Sequence, residues 1–183
     1  MDTVSVSLST TPLSAAGAHP IERMLDSARL GDHLDRLYRA AWALCGSRED
    51  AEDLVQETYT RLLARPRLLR NEDDLGYLLR ALRNTFLNQK RTESRRLRTE
   101  PLPEQLDLVA DTHAFQPQAA LEAQELYAAI AALPADFRDV LVAVDVTGLS
   151  YKEAARALRI REGTVMSRLY RARQQIVRRI EGG

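Results

Sequence analysis

Apolar residues recur at helical spacing in two long blocks of this chain, and no β-rich run interrupts either block. In the first block, from about residue 22 to residue 94, the spacing predicts three helices that bury one another. The first helix is expected to end near Gly46, Ser47 is a suitable N-cap for the second, and Pro66 separates the second from the third. Each predicted helix has one stripe of residues expected to face the core. The stripe of the first helix is Leu30, Leu34, Leu37, Ala41 and Leu44, that of the second is Ala51, Leu54, Val55, Thr58 and Leu62, and that of the third is Leu75, Leu78, Leu79, Leu82 and Phe86.

The second helical block begins near residue 118 and contains sharper local signals. Pro134 lies near the first turn of a helix expected to run through about Val146, a place where the missing proline N–H has no helical partner to lose. Ser150 and Glu153 have the spacing of a capping box, in which the hydroxyl and the carboxylate each accept a hydrogen bond from the other residue's backbone N–H. A new helix is therefore predicted to begin directly after Ser150.

That new helix is short, and its spacing predicts burial of Ala154, Ala155 and Leu158. A tight connection follows, and then a longer helix with Val165 and Leu169 facing inward. Two helices joined by a few residues, the second rich in Arg, Ser and Thr, predict a helix-turn-helix. A structural helical hairpin with a solvated basic face is the alternative interpretation.

The blocks together predict an all-α protein with two small helical domains joined by a flexible acidic linker, the C-terminal one a helix-turn-helix of winged-helix-like type. Residues 1–20, rich in Ser, Thr and Ala, are predicted to be a disordered tail. Residues 21–95 form the predicted N-terminal helical domain, residues 96–117 the linker, which contains three prolines, and residues 118–183 the C-terminal domain.

Charge is segregated along the chain although the formal net charge is zero. Residues 61–100 carry 11 basic and 5 acidic side chains, and residues 161–183 carry 6 and 2. Between these positive blocks, residues 101–130 carry 5 acidic side chains and none that is basic, while residues 21–60 carry 9 acidic and 5 basic ones. The two positive blocks favour two surfaces for polyanions, with solvated helix faces as the alternative.

Sequence signals for catalysis are missing. The three histidines have no metal-binding spacing, no glycine-rich phosphate loop occurs, and Cys45 is the single cysteine, so neither a disulfide within the chain nor a thiolate cluster can form. We therefore expect no metal, no cofactor and no enzymatic activity. No apolar run approaches the roughly 20 residues that span a bilayer, so we expect no membrane insertion and a cytoplasmic protein.

Two stretches resemble a known family, the extracytoplasmic-function (ECF) sigma factors of bacterial RNA polymerase, within the sigma-70 family. Residues 48–63, REDAEDLVQETYTRLL, resemble its region 2, and residues 133–173, LPADFRDVLVAVDVTGLSYKEAARALRIREGTVMSRLYRAR, resemble its region 4. Residues 76–79 and 83–84 resemble the helix of regions 2.3 to 2.4. The resemblance implies a protein that binds core RNA polymerase and promoter DNA and directs transcription initiation.

The resemblance also implies roles for residues of the first domain. The segment that docks on a coiled coil of the polymerase β′ subunit corresponds to Asp53, Gln56 and Glu57. The part that opens the −10 element corresponds to the positive block, with a base-capturing loop between residues 64 and 74. The candidates for −10 contacts are Arg65, Arg67, Arg70, Asn71, Arg80, Arg83, Asn84, Asn88, Lys90, Arg91, Arg95 and Arg96.

In the second domain the resemblance implies that the second helix of the helix-turn-helix enters the major groove at the −35 element. It further implies a contact with the polymerase β subunit and control by an anti-sigma factor. Arg159 stands where many members have Gly in the turn, so strain is expected there. The candidates for −35 contacts are Thr164, Met166, Ser167, Arg168, Tyr170, Arg171 and Gln174.

Two other classes of protein stay open at this point. Residues 133–175 also resemble the DNA-binding domain of LuxR-type regulators, which act on DNA without sigma activity. That interpretation requires a sensor or receiver in residues 22–94, where a receiver would need alternating strands. A helical protein that sequesters sigma factors is the other alternative, although it would not need two Arg-rich faces.

Overall fold

The computed structural model describes residues 22–24, 27–64, 68–70, 74–99 and 118–181. A 3-10 helix at Ser27–His33 leads into α1, Leu34–Cys45. Helix α1 ends at Gly46, whose φ of 84° is favourable for glycine and whose N–H donates to the Trp42 carbonyl at 2.7 Å. The Ser47 hydroxyl then accepts the Asp50 N–H at 3.2 Å, so the predicted N-cap of α2, Arg48–Ala64, is confirmed.

Helix α3, Asp74–Thr99, completes the N-terminal helical domain (α1–α3). It continues four residues past residue 95, the predicted end of the N-terminal domain; the domain boundary stays a prediction. An antiparallel pair of short strands, β1 at Glu22–Met24 and β2 at Leu68–Arg70, accompanies the helices. The sequence did not predict this pair, because a three-residue strand is too short for a periodicity signal.

The C-terminal helical domain (α4–α7) begins with α4, Gln118–Ala131, and α5, Ala135–Leu141. A π-helical turn at Val142–Val146 extends α5 to the predicted end, and Pro134 occupies its N-cap. Helix α6, Tyr151–Leu158, and α7, Glu162–Glu181, form the predicted helix-turn-helix.

Buried side chains form one continuous core through both domains. Helix α1 packs on α2 and α3, and its other side packs on α4, α5 and the π-helical turn. Ala40, Trp42 and Ala43 are consequently buried although they lie outside the predicted stripe, whereas the predicted burial of Leu34 is wrong, since its side chain is 46% exposed. Leu34 lies at the beginning of α1, where solvent replaces the neighbouring helices.

The all-α fold with two helical domains is confirmed, with the short strand pair as an addition. The predicted tail, residues 1–20, lies outside the described residues, and so does most of the predicted linker, residues 100–117. Their conformations stay predictions from composition.

Candidate DNA-binding and polymerase-binding surfaces

The turn of the helix-turn-helix is set by two local features. The Ser150 hydroxyl accepts the Glu153 N–H at 3.3 Å and a Glu153 carboxylate oxygen accepts the Ser150 N–H at 2.8 Å, which confirms the capping box. Helix α6 then ends at Arg159, whose φ of 57° and ψ of 44° lie in the left-handed region. The strain expected from an arginine at this position is thus observed, and it sets the direction in which α7 begins.

Helix α7 has a buried side and an exposed side. Val165, Leu169 and Ala172 are almost fully buried, which confirms the predicted inward positions of the first two. On the opposite side Met166 is 53% exposed and Tyr170 is 66% exposed. The predicted −35 contacts on this side are exposed and close together in sequence: Met166, Ser167, Tyr170, Arg171 and Gln174.

The remaining predicted −35 contacts, Thr164 and Arg168, are half-buried. The Thr164 carbonyl accepts the Ser167 hydroxyl at 3.1 Å, and the Arg168 guanidinium donates to Asp136 of α5 at 2.7 Å. Arg168 thus braces α7 against α5, and only part of its side chain remains accessible to a ligand.

A second brace joins α7 to the π-helical turn. Arg173 donates two hydrogen bonds to the Asp145 carboxylate, at 2.9 and 2.7 Å. The hydrogen bond to Asp145 raises the pKa of Arg173 further above its usual range, so the guanidinium stays charged. Two ion pairs and an apolar row therefore fix the orientation of the exposed face of α7.

The candidate polymerase-binding residues lie on α2, but they do not all face solvent. Asp53 and Gln56 are exposed. Glu57 is half-buried, forms an ion pair with Arg61, and accepts a hydrogen bond from Gln89 of α3 at 2.5 Å. The exposed acids of this helix begin in its first turn, where carboxylates interact favourably with the helix dipole.

The candidate −10 residues lie in two places, the segment between α2 and α3 and helix α3 itself. Arg65, Arg67 and Asn71 lie outside the described residues, and Arg70 is described only as backbone of β2. Within α3, Arg80 and Arg83 are half-buried and Lys90 pairs with Glu93 at 2.9 Å. The other α3 candidates are exposed, namely Asn84, Asn88, Arg91, Arg95 and Arg96.

A cleft of about 770 Å³ is lined by residues of α2, α3 and α6. It brings three of the N-terminal candidates, Arg80, Arg83 and Asn84, together with Arg61 and Arg159. Sequence reasoning assigned no binding role to Arg61 or Arg159, because no local pattern indicates that two residues 98 positions apart line one cleft. A largely apolar groove of about 480 Å³, formed mainly by the C-terminal domain with Arg39 of α1 at its border, was also not predicted; its apolar lining consists of Leu126, Tyr127, Ile130, Leu141, Val146, Ile176 and Val177.

The described ranges contain neither a metal-binding cluster nor a membrane-spanning helix. No group of three or more His, Cys, Asp or Glu side chains there is arranged to hold a metal ion. None of the helices in those ranges has both the length and the apolar character of a membrane span. Burial raises the pKa of the Cys45 thiol to about 12, so very little of the reactive thiolate forms at neutral pH.

Comparisons with known proteins match both domains. The sequence model of Sigma-70 region 2 matches residues 30–96, and that of Sigma-70 region 4 matches residues 123–176. The ECF RNA polymerase sigma factor SigE of Mycolicibacterium smegmatis is 39% identical over 147 residues, which are 79% of this chain and 57% of that protein. The ECF RNA polymerase sigma factor EcfG of Rhodopseudomonas palustris is 37% identical over 139 residues, 74% of each chain.

Among solved structures, a similar fold occurs in the sigma factor RpoE of Bartonella quintana in complex with the anti-sigma factor NepR. The TM-score is 0.63 at 26% identity, and the match covers 81% of this chain and 92% of that one.

Proposed function

Because this chain belongs to the ECF RNA polymerase sigma factors, with sigma-70 regions 2 and 4, we propose that it binds core RNA polymerase and directs transcription initiation at promoters with its own −10 and −35 elements. Sigma factors are not enzymes themselves, which agrees with the expectation of a non-catalytic protein. The observation that carries the proposal is the combination, in one chain, of an acidic exposed helix, a basic helix and an exposed helix-turn-helix.

Polymerase binding is proposed for the exposed side of α2. Asp53 and Gln56 are accessible there, and the net negative charge of residues 21–60 suits a basic protein surface and disfavours DNA. We assign this side to the β′ subunit. Glu57 has a supporting role, since its carboxylate already binds Arg61 and Gln89.

Reading of the −35 element is proposed for the exposed side of α7. A major groove admits one α-helix, and bidentate contacts from Arg to guanine are the commonest specific contacts there. Arg171 is the candidate for such a contact, with Met166, Ser167, Tyr170 and Gln174 beside it. Thr164 and Arg168 border this face at the half-buried positions, where Arg168 also binds Asp136.

Opening of the −10 element is proposed for α3 and for the segment before it. A separated strand can be held when cations follow its backbone and unstacked bases enter protein pockets. Asn88, Lys90, Arg91 and Arg95 supply exposed cations and amides along α3. Arg65, Arg67, Arg70 and Asn71 remain candidates for capture of an unstacked base.

Further partners belong to the same proposal. The apolar groove of the C-terminal domain, together with the family membership, supports a second polymerase contact, with the β subunit. The similar RpoE structure contains the anti-sigma factor NepR, which supports an anti-sigma partner for this chain. The partners are core polymerase, promoter DNA and an anti-sigma factor, all met in the cytoplasm, and no cofactor is required.

The function is tested by transcription in vitro with purified bacterial core polymerase and a library of fragments from the host genome. With the chain present, discrete new start sites should appear, and alignment of the upstream sequences should give common −35 and −10 elements. A chain that neither produces new transcripts nor co-elutes with core polymerase would contradict the proposal and would favour a stand-alone DNA-binding regulator.

A further inference from the structure

The cleft lined by α2, α3 and α6 brings together guanidinium groups from three parts of the chain. The space of about 770 Å³ is shared by Arg61 of α2, Arg80 and Arg83 of α3, and Arg159 directly after α6. Among the described residues that line it there is no Asp or Glu. Cations that converge on one concave space favour a bound anion, because the low-dielectric walls of a cleft strengthen their combined field.

Two of these arginines are already paired, and each keeps donors for a ligand. Arg83 binds Asp139 through its Nε, and Arg61 binds Glu57 through one terminal nitrogen. A guanidinium has five N–H donors, so both side chains can donate to a second acceptor. The two carboxylates do not line the cleft, and they restrict the movement of the guanidiniums that do. Part of the site is therefore ordered before a ligand arrives, which lowers the entropy cost of binding.

Arg159 is the member of this set whose position is strained. Its φ of 57° lies in the left-handed region, and it is the only described residue other than glycine with a positive φ. Glycine would adopt this conformation without strain, so the turn alone does not require an arginine. Strained backbone positions cluster at functional sites, where the side chain has a task. At this turn the exposed side chain of Arg159 brings a cation from the C-terminal domain to the arginines of α2 and α3.

The rest of the lining suits an aromatic base as well as phosphate. Tyr77 is half-buried, and the Arg80 guanidinium lies 5.7 Å from the centroid of its ring. Leu62 and Leu158 add apolar surface, and the Asn84 amide offers both a donor and an acceptor. Sites for small ligands combine apolar walls with a few polar groups in a space of about 300–1,000 Å³. The cleft has this size and this mixture of side chains.

We propose that this cleft binds a nucleoside polyphosphate, with the guanidiniums of Arg61 and Arg159 on the phosphates and the base beside Tyr77. Arginine suits this role because its planar donors can form two parallel hydrogen bonds to one phosphate. The flat face of a base packs on aromatic and apolar side chains, and its polar edge can bond to the Asn84 amide. The inference goes beyond the proposed function, since the ligand binds the chain without polymerase or promoter DNA.

Binding is measured by calorimetric titration of the full chain with ATP and with GTP, in the absence of polymerase and DNA. One nucleotide should bind per chain and should raise the Tm, because a ligand that binds only the folded chain stabilises it. Arg159→Gln should weaken binding about tenfold through the loss of a charge-assisted hydrogen bond. The matched control is Arg161→Gln, which removes the same charge from an exposed position of the same turn outside the cleft lining and should leave the affinity unchanged.

Two further measurements separate binding from folding and the base from the phosphates. Arg159→Gly removes the strain together with the guanidinium, so this variant should have a higher Tm than the wild-type chain and still bind nucleotide about tenfold more weakly. Inorganic tripolyphosphate has the phosphates without the base. It should bind the wild-type chain about fivefold more weakly than the nucleotides, because it cannot pack on Tyr77.

No saturable binding of either nucleotide up to about 1 mM, or equal affinities of Arg159→Gln and Arg161→Gln, would overturn the site. Equal affinities of the wild-type chain for tripolyphosphate and for the nucleotides would overturn the role of the base. Each of these results would leave the proposed function intact. Failure of the chain to support transcription with core polymerase would instead overturn the proposed function and leave the nucleotide site unaffected.

Discussion

Helices α3 and α7 each carry basic and amide side chains suited to DNA, but their surroundings differ. The outer side of α7 faces solvent, with Tyr170 66% exposed, while α5 and α7 are braced against each other by Arg168 and Asp136. On α3, Arg83 is half-buried and bound to Asp139 of the other domain. The candidate −35 surface on α7 is therefore exposed to solvent. On α3, the part of the candidate −10 surface around Arg83 is covered by α5.

The difference shows that a basic residue's availability depends on where its acidic partner lies. Asp136 and Asp139 are one turn apart on α5, and each binds an arginine. The Asp136 pair lies within one domain and orients the helix that carries the −35 candidates. The Asp139 pair joins the two domains and engages Arg83, one of the −10 candidates.

The largest expected effect separates the inner and outer sides of α7. Leu169 is 2% exposed, so Leu169→Ala should lower the free energy of unfolding by about 2–5 kcal/mol through lost burial and a cavity. Met166→Ala, at a 53% exposed position of the same helix, should change stability by about 0.5 kcal/mol or less. Thermal or urea unfolding of both variants measures this; equal losses would contradict the two-sided description of α7.

The next prediction concerns the exposed face of α7 alone. Arg171→Ala should weaken binding of the −35 element by about 1–3 kcal/mol and relax discrimination at one base pair, if Arg171 contacts a guanine. Arg178→Ala, an exposed arginine further along the helix, should weaken binding equally for all sequences and reduce its salt dependence. Holoenzyme binding to promoter variants at several salt concentrations distinguishes them, and identical sequence profiles would remove the assignment of Arg171.

The third prediction concerns the acidic helix α2, whose exposed side is proposed to bind polymerase and not DNA. Asp53→Ala combined with Gln56→Ala should lower the affinity for core polymerase about tenfold, near 1.4 kcal/mol, with helical content unchanged. Asp35→Ala is the control, because it removes an exposed carboxylate from α1 and leaves α2 unchanged. Affinity is measured by titration with labelled core, and unchanged affinity of the double variant would remove the proposed β′ contact from this side of α2.

The smallest expected effect is at the turn before α7. Arg159→Gly should raise the free energy of unfolding by about 0.5–1 kcal/mol, since glycine adopts a φ of 57° without steric strain. The variant also removes one arginine from the cleft beside α3. Urea unfolding detects the stabilisation, and a destabilised variant would indicate that the Arg159 side chain contributes more than the strain removes.

Local signals in the sequence predicted local structure well. The N-cap at Ser47, the capping box at Ser150 and the end of α1 at Gly46 depend on residues a few positions apart, and all three are confirmed. The all-α fold followed from the same kind of evidence. The burial of Leu34 was predicted wrongly, because periodicity does not tell where along a helix the neighbouring helices end.

Contacts between the domains could not be predicted in this way. Arg83 and Asp139 are 56 positions apart, and neither position contains a pattern that points to the other. The same holds for the stack of Trp42 on Tyr127. The resemblance assigned Arg83 to DNA, and the structure adds that it is occupied from within the chain. The individual contacts to DNA and polymerase stay predictions.

The central claim, that one chain reads two separated promoter elements through α3 and α7 when bound to polymerase, is tested most directly by a hydroxyl-radical footprint on a promoter found in vitro. The account predicts separate protected zones at −10 and −35 with the chain and core polymerase together, weaker protection of the −35 zone with Arg171→Ala, and no footprint with the chain alone. Protection of a palindrome by the chain without polymerase would contradict it and favour a LuxR-type regulator.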